Sequence, residues 1–287
     1  MNGTALALVL IAAVVHAGWN LAAKRVDAGA SFVFLYYTVS AVVCAPIAVV
    51  ALVASGQRPH WTWLVAAFLT AVFHVAYGVV LQRGYRVGDL SVVYPLARGS
   101  GPLLSVFAAV VLFGERPGWL GVAGAILVVT GVLVIGLGSR SAADARARRA
   151  GVRYGLLTGA TIAAYTLWDD HSVNALTVPP LIYFAAGAVL QSALLAPLTL
   201  RSGSQVGTLW RAHRREIVIV GVCSPVAYVL VLYAMRMAPV SLVAPAREVS
   251  IVLGGVAAWL VLREPNPGRR LIGSVVVLAG IAAIAAS

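Results

Sequence analysis

RVGDLSVVYPLARGSGPLLSVFAAVVLFGERPGWLGVAGAILVVTG at 86–131 returns, altered, as RMAPVSLVAPAREVSIVLGGVAAWLVLREPNPGRRLIGSVVVLAG at 236–280. Arg86 and Arg236, Ser91 and Ser241, and Pro95 and Pro245 align at an offset of 150. After one residue of slippage the offset is 149, pairing Arg98 with Arg247, Glu115 with Glu264, Gly124 with Gly273 and Gly131 with Gly280. Trp19 and Trp168 also pair at 149. Matching polar residues and glycines over so long a run mark a duplication, not two unrelated apolar segments.

Composition says what is duplicated. With 61% hydrophobic and 10% charged residues and a mean hydropathy of +0.94, the chain lies outside the range of soluble domains. It reads as an integral membrane protein, with the lipid bilayer as its partner. Spanning about 30 Å of hydrocarbon takes roughly 20 helical residues. Ten such windows fall near 4–23, 31–53, 62–82, 91–113, 118–138, 153–171, 180–200, 217–235, 240–262 and 270–286. None alternates in polarity as a barrel strand would, so the expected fold is all-α. The expected organisation is a first five-helix repeat at 1–138, a polar linker at 139–151 (SRSAADARARRAG) and a second repeat at 152–287.

Five is odd, so a direct duplication starts its second copy on the opposite side of the membrane. The repeats are therefore expected to be inverted, a construction of secondary transporters whose site lies between the halves. The N-terminal run MNGTALALVLIAAVV lacks a basic n-region and continues into His16, Trp19 and Asn20, so it reads as the first transmembrane helix and not a signal peptide. Cys44 and Cys223 fall inside windows with no partner spacing and read as packing residues.

The net charge of +12 does not indicate nucleic acid, because the basic residues are scattered through loops. Sixteen of them follow windows 1, 3, 5, 7 and 9, against Arg58, Arg116 and Arg236 on the other side. The positive-inside rule then puts both termini outside the cell.

Arg98 and Arg247 lie about 10 Å inside their helix ends at 1.5 Å per residue. Each either snorkels to the nearer interface or faces a water-filled cavity. Pro95 and Pro245 favour the cavity, since each removes a backbone hydrogen bond in the same turn, and Gly99, Gly101 and Pro102 are expected to loosen the fourth helix further. A guanidinium is a permanent cation whose fork of donors matches carboxylate or phosphate, so the pair suggests an anionic or zwitterionic substrate. The inverted duplication is expected to set the two arginines on opposite sides of the midplane, each serving one access state. Glu248 has no counterpart beside Arg98. It carries a coupling proton, pairs with Arg98, or faces the cavity, and the sequence leaves all three open.

His16, Trp19, Asn20 and Lys24 share one helical stripe in HAGWNLAAK. The corresponding AAYTLWDDH holds Tyr165, Trp168, Asp169, Asp170 and His171, read either as an interfacial belt with its carboxylates in water or as a proton relay. Asp169 falls at the Asn20 position and is a coupling candidate together with Glu248. His74, Tyr77, Gln82, Gln191 and Tyr228 are weaker candidates, as single polar groups that usually serve packing. Glu115 and Glu264, at GERP and REPNP, read as caps on the helices that follow them. Gly124 and Gly131, with Gly273 and Gly280, form small-residue faces suited to close helix contact within the chain or in a homodimer through the fifth and tenth helices. There is no phosphate-binding loop, zinc-protease helix or nucleophile elbow, and no cofactor or metal is expected.

Ten helices in two repeats, the HAGWNLAAK pattern and the glutamates of GER and REP resemble the drug/metabolite transporter superfamily, EamA type, over essentially the whole chain. VVYPLARGSGPLL, AAYTLWDDH and VAPAREVSIVLGG look further like a subset whose members include proteins associated with phosphonate utilisation. The resemblance implies a transporter of small metabolites in the plasma membrane. It also implies helices 1, 3, 4, 6, 8 and 9 around a central cavity, helices 5 and 10 toward a dimer contact or the periphery, and cytoplasmic termini, against the charge count. The functional expectation is alternating-access transport of a small organic anion or zwitterion, coupled to protons. Arg98, Arg247, His16, Trp19, Asn20, Tyr94 and Trp168 would contact substrate, and Asp169 and Glu248 would couple it. The alternatives are a flippase for a lipid-linked phosphate or sugar, and a membrane-embedded enzyme using Asp169, Asp170 and His171.

Overall fold

A backbone in hydrocarbon has no water to bond, so it bonds to itself, and the long apolar stretches among the described residues are helices. The computed structural model describes residues 1–23, 26, 29–88, 90–136, 145–201, 203–253 and 267–287, and no strand occurs among them. The helices are α1 Gly3–Ala23, α2 Gly29–Ser55, α3 Trp61–Val87, α4 Leu90–Phe113, α5 Gly118–Gly136, α6 Ala145–Asn174, α7 Pro180–Leu200, α8 Gly203–Met235, α9 Val240–Ala246 and α10 Pro267–Ala285. Six of these elements are long and apolar enough to cross a membrane, and α5 and α10 hold shorter apolar runs at 118–134 and 271–285. The wide apolar surface of α2, α3 and α4, including Val50, Val53, Leu64 and Phe107, suits lipid contact.

Three boundaries differ from expectation. Residues 145–151, read as linker, are the first turns of α6, while 139–144 lie outside the described residues. Their Ala-Arg-rich composition favours helix over loop. α8 starts well before 217 and bends at His213, where φ −130° and ψ 26° leave the helical region. The ninth window is interrupted at Arg247 and Glu248, with 249–253 again helical and the rest of the window outside the described residues.

Packing runs across the two halves: α1 lies on α8 and α3 on α6, while α2 meets α7, α4 meets α9 and α5 meets α10. The α5 and α10 contact is set by glycines. A Cβ on Gly124 would sit 2.6 Å from the Gly280 carbonyl oxygen, and one on Gly131 would sit 2.7 Å from that of Gly273. These small-residue faces are occupied within the chain, so they do not offer the homodimer contact they suggested. The α4 glycines have a similar role. A Cβ on Gly101 would meet Ile162 of α6 at 2.7 Å, and one on Gly99 would meet Leu133 of α5 at 3.0 Å. The expectation that they loosen α4 fails because they admit its neighbours, and α4 runs unbroken through Pro95 and Pro102.

Candidate functional site

The break in α9 begins with Pro245, which has no N–H to give to the carbonyl one turn earlier. From there the hydrogen bonds tighten: Glu248 N bonds Pro245 O at 2.9 Å, Ser250 N bonds Arg247 O at 3.3 Å, and Ile251 N bonds Glu248 O at 2.9 Å. These are three-residue steps of the 3₁₀ kind. Arg247 and Glu248 sit at that tightened turn, both buried.

Glu248 takes one of its three open roles here. Arg98 Nη2 lies 2.9 Å from Glu248 Oε2, an ion pair between α4 and the α9 turn, with 14% and 2% of the two side chains accessible. The two arginines therefore come close enough to feel one another's charge, instead of standing apart. Arg98 reaches across the α4 and α9 contact to the residue next to Arg247, and His16 and Tyr165 feel the charge of both. Arg98 Nε has no hydrogen-bond partner. The Arg247 guanidinium makes no ion pair or hydrogen bond with any described residue.

Beside the arginines, the His16 ring meets Trp19 edge-on at 4.6 Å, and the buried Trp19 Nε1–H has no acceptor. Asn20 is partly buried on the same helix, and Lys24 lies outside the described residues. Tyr94 is 43% exposed and close enough to Arg98 to interact with its charge.

A second cluster centres on Asp169, which is 1% exposed. Its Oδ1 accepts from the Thr70 hydroxyl at 2.7 Å and the Tyr183 hydroxyl at 2.5 Å, and its Oδ2 accepts from the Tyr228 hydroxyl. His74 Nε2 lies 3.0 Å from the Tyr228 oxygen, its Nδ1 lies 2.8 Å from the Thr70 carbonyl, and its ring stacks on Tyr165 at 4.2 Å. Tyr37, Thr70, His74, Tyr183, Phe184, Gln191 and Tyr228 line a small cavity here. That cavity draws on α2 and α7 as well as on the helices expected to surround it.

The belt reading of AAYTLWDDH fails, because both carboxylates are buried. Asp170 accepts from Asn174 Nδ2 at 2.9 Å, and that amide also bonds Met235 O at 3.0 Å, tying α6 to the end of α8. The Trp168 indole donates to Ala66 O on α3 at 3.0 Å, so its N–H is committed to packing. His171 lies against Trp168 at 5.6 Å. Asp169, Asp170 and His171 thus diverge to different partners and share no reacting point.

Glu115 is a cap, but not of its own neighbour. In the GERPG turn, Gly114 and Gly118 adopt φ of +67° and +69°, values that cost glycine nothing. The turn aims the carboxylate at the other half, where Oε1 and Oε2 accept from Val240 N and Ser241 N, each at 3.0 Å. Glu115 therefore anchors the start of the broken helix. Glu264 lies outside the described residues.

Sequence reasoning ranked His74, Gln191 and Tyr228 too low and passed over Thr70, Tyr183 and Tyr37. Thr70 and His74 do share a helical face at i and i+4, a signal available from the sequence. Their partners lie 99 and 154 positions away, and no local pattern shows those.

Helices from both halves enclosing buried charges, with apolar surface turned outward, define a multi-pass membrane protein. The chain belongs to the EamA-like transporter family, whose module matches twice, at residues 3–137 and 149–286. It is therefore a membrane transporter of the drug/metabolite transporter superfamily. A solved structure described as "Crystal structure of protein" is similar in fold, with a TM-score of 0.77 and 19% identity over 99% of this chain and 99% of that one. No curated protein matches the chain.

Proposed function

We propose that the protein carries a small organic anion, or a zwitterion with an anionic group, across the plasma membrane by alternating access, coupled to protons. The buried guanidinium of Arg247, which has no ion pair of its own among the described residues, carries this reading. A buried charge without full compensation costs several kcal/mol, and Glu248, whose charge Arg247 also feels, is already engaged by Arg98. An anionic ligand would complete the compensation, and Arg98 Nε–H and Trp19 Nε1–H are further donors without acceptors. Arg247 would bind it, Arg98 would stay paired to Glu248 or exchange that partner for the ligand, and His16, Trp19, Asn20 and Tyr94 would line its path. Trp168 would shape the wall from behind.

We read the ten helices as two inverted five-helix repeats. Swapped contacts (α1 with α8, α3 with α6) and like-with-like contacts (α2 with α7, α4 with α9, α5 with α10) are what a pseudo-two-fold axis in the membrane plane produces. Rocking about that axis would open the arginine layer to each side in turn.

The test is ligand-dependent melting of the purified protein with inorganic phosphate, methylphosphonate, small carboxylates and amino acids, since a ligand of the folded state raises the melting temperature by mass action. An anion should raise it for the wild type and not for Arg247→Gln. A rise only with neutral or cationic compounds contradicts the proposal.

A further inference from the structure

We infer that His74, Tyr228 and Asp169 form one proton-binding unit that holds a single proton in common and fastens α3 to α6 and α8. The inference deepens the proposed transport by giving its coupling proton a place, and so it rests on that reading only for the word coupling.

His74 Nδ1 lies 2.8 Å from the Thr70 carbonyl, which can only accept, and 3.1 Å from the Thr70 hydroxyl, whose one hydrogen goes to Asp169 Oδ1 at 2.7 Å, so the nearer contact puts a hydrogen on Nδ1. The Asp169 Oδ1 atom is already filled by Thr70 and Tyr183 donors. Two contacts remain in line, His74 Nε2 to the Tyr228 oxygen and that oxygen to Asp169 Oδ2. Each needs one hydrogen to be a bond, and the Tyr228 hydroxyl supplies only one. Either His74 is imidazolium, donating to Tyr228 while Tyr228 donates to Asp169 carboxylate, or Asp169 is the acid, donating to Tyr228 while Tyr228 donates to neutral His74. The two arrangements hold the same number of protons. They interconvert by moving one proton along each bond, with none gained or lost.

Losing that proton leaves one hydrogen for two contacts. Tyr228 then bonds either Asp169 or His74, and the abandoned contact sets two lone pairs against each other. His74 belongs to α3 of the first half, while Asp169 and Tyr228 belong to α6 and α8 of the second. Deprotonation thus weakens a tie between halves, which is the link alternating access needs. The groups facing the unit are Tyr37 from α2, Tyr165 and Asp170 from α6, Tyr183 from α7 and Arg247 from α9, while Arg98 of α4 acts through Tyr165. Glu248 is the other carboxylate considered for coupling, and it is engaged by Arg98.

The experiment is difference proton titration of the full chain in lipid nanodiscs, counting protons bound by the wild type minus each variant across the same pH range. His74→Gln, Asp169→Asn and the double variant should each lose the same single proton, and Tyr228→Phe, which keeps both groups but parts them, should replace the shared protonation by two separate ones. Loss of one proton in each single variant and two in the double, or an unchanged titration in Tyr228→Phe, overturns the shared unit. Should Asp169→Asn fail to fold, as read by melting and gel filtration, His74→Gln, Tyr228→Phe and their double variant complete the same cycle. Anion uptake by proteoliposomes under an imposed pH gradient separates the two claims. A shared proton with uptake indifferent to the gradient overturns the coupling, while two independent protons overturn the unit and leave anion transport standing.

Discussion

Arg98 Nη2 and Glu248 Oε2 stand 2.9 Å apart, joining α4 of the first half to the turn that interrupts α9 in the second. Removing one member of a buried ion pair strands the other charge, at about 3–5 kcal/mol, whereas replacing both by apolar residues is often neutral. Glu248→Ala should therefore lower the melting temperature sharply, and Arg98→Met with Glu248→Leu should restore most of it while abolishing transport. Equal melting of the wild type and Glu248→Ala would mean that the pair does not hold the two halves together.

Glu115 joins the halves by a second route, through Val240 N and Ser241 N. Hydrogen bonds to a charged acceptor at a helix start contribute about 1–2 kcal/mol. Glu115→Ala should destabilise the protein by that order in thermal or denaturant unfolding, and Glu115→Gln by less, since the amide keeps one acceptor. A loss of similar size in Glu115→Gln and Glu115→Ala would argue that charge, not acceptor geometry, carries the contact.

The α5 and α10 contact predicts a contrast between glycines. Gly124→Ala and Gly280→Ala place a methyl 2.6 Å from a facing carbonyl oxygen, and overpacking of this kind costs about 1–3 kcal/mol. Gly78→Ala, whose Cβ would meet nothing within 4 Å, should leave melting unchanged. Equal effects at all three sites would contradict the close α5 and α10 contact as the cause, since helix propensity alone favours alanine over glycine.

The sixteen basic residues grouped by the sequence count bear on orientation, and the fold brings two of their groups together. Gly88, after α3, packs against Gly151 near the start of α6, so Arg83 and Arg86 share an end of the bundle with Arg149 and Arg153. The charge count predicts that this end faces the cytoplasm with both termini outside, whereas the family resemblance implies cytoplasmic termini. A reporter active only in the cytoplasm, fused after Ser287, should stay silent. A bright fusion would support cytoplasmic termini, as the family resemblance implies.

The contrast between α4 and α9 marks the limit of what the sequence carried. Duplication, helix count and window positions follow from apolar length and repeated residues, because a bilayer leaves an apolar stretch few alternatives to a helix. Arg98, Arg247, Asp169 and Glu248 were also visible, since each is costly where it stands. Pro95 and Pro245 look equivalent in the repeat, yet only α9 breaks, and that difference depends on packing. The partners of Asp169 were hidden because a threonine and two tyrosines on three other helices are individually unremarkable in sequence. Glu115 was recognised as a cap and assigned to the nearer helix, because only the folded GERPG turn shows where its carboxylate points.

The proposed transport turns on Arg247 presenting its buried cation to an anionic substrate within the membrane. Its most direct test is uptake of radiolabelled water-soluble anions, methylphosphonate and small carboxylates among them, into proteoliposomes holding wild-type protein, Arg247→Lys or Arg247→Gln. Saturable uptake by the wild type, weakened in Arg247→Lys and lost in Arg247→Gln while the variants remain folded, is the predicted result. Uptake that is unchanged in Arg247→Gln, or transfer confined to lipid-linked phosphates or sugars with no soluble anion carried, would contradict it.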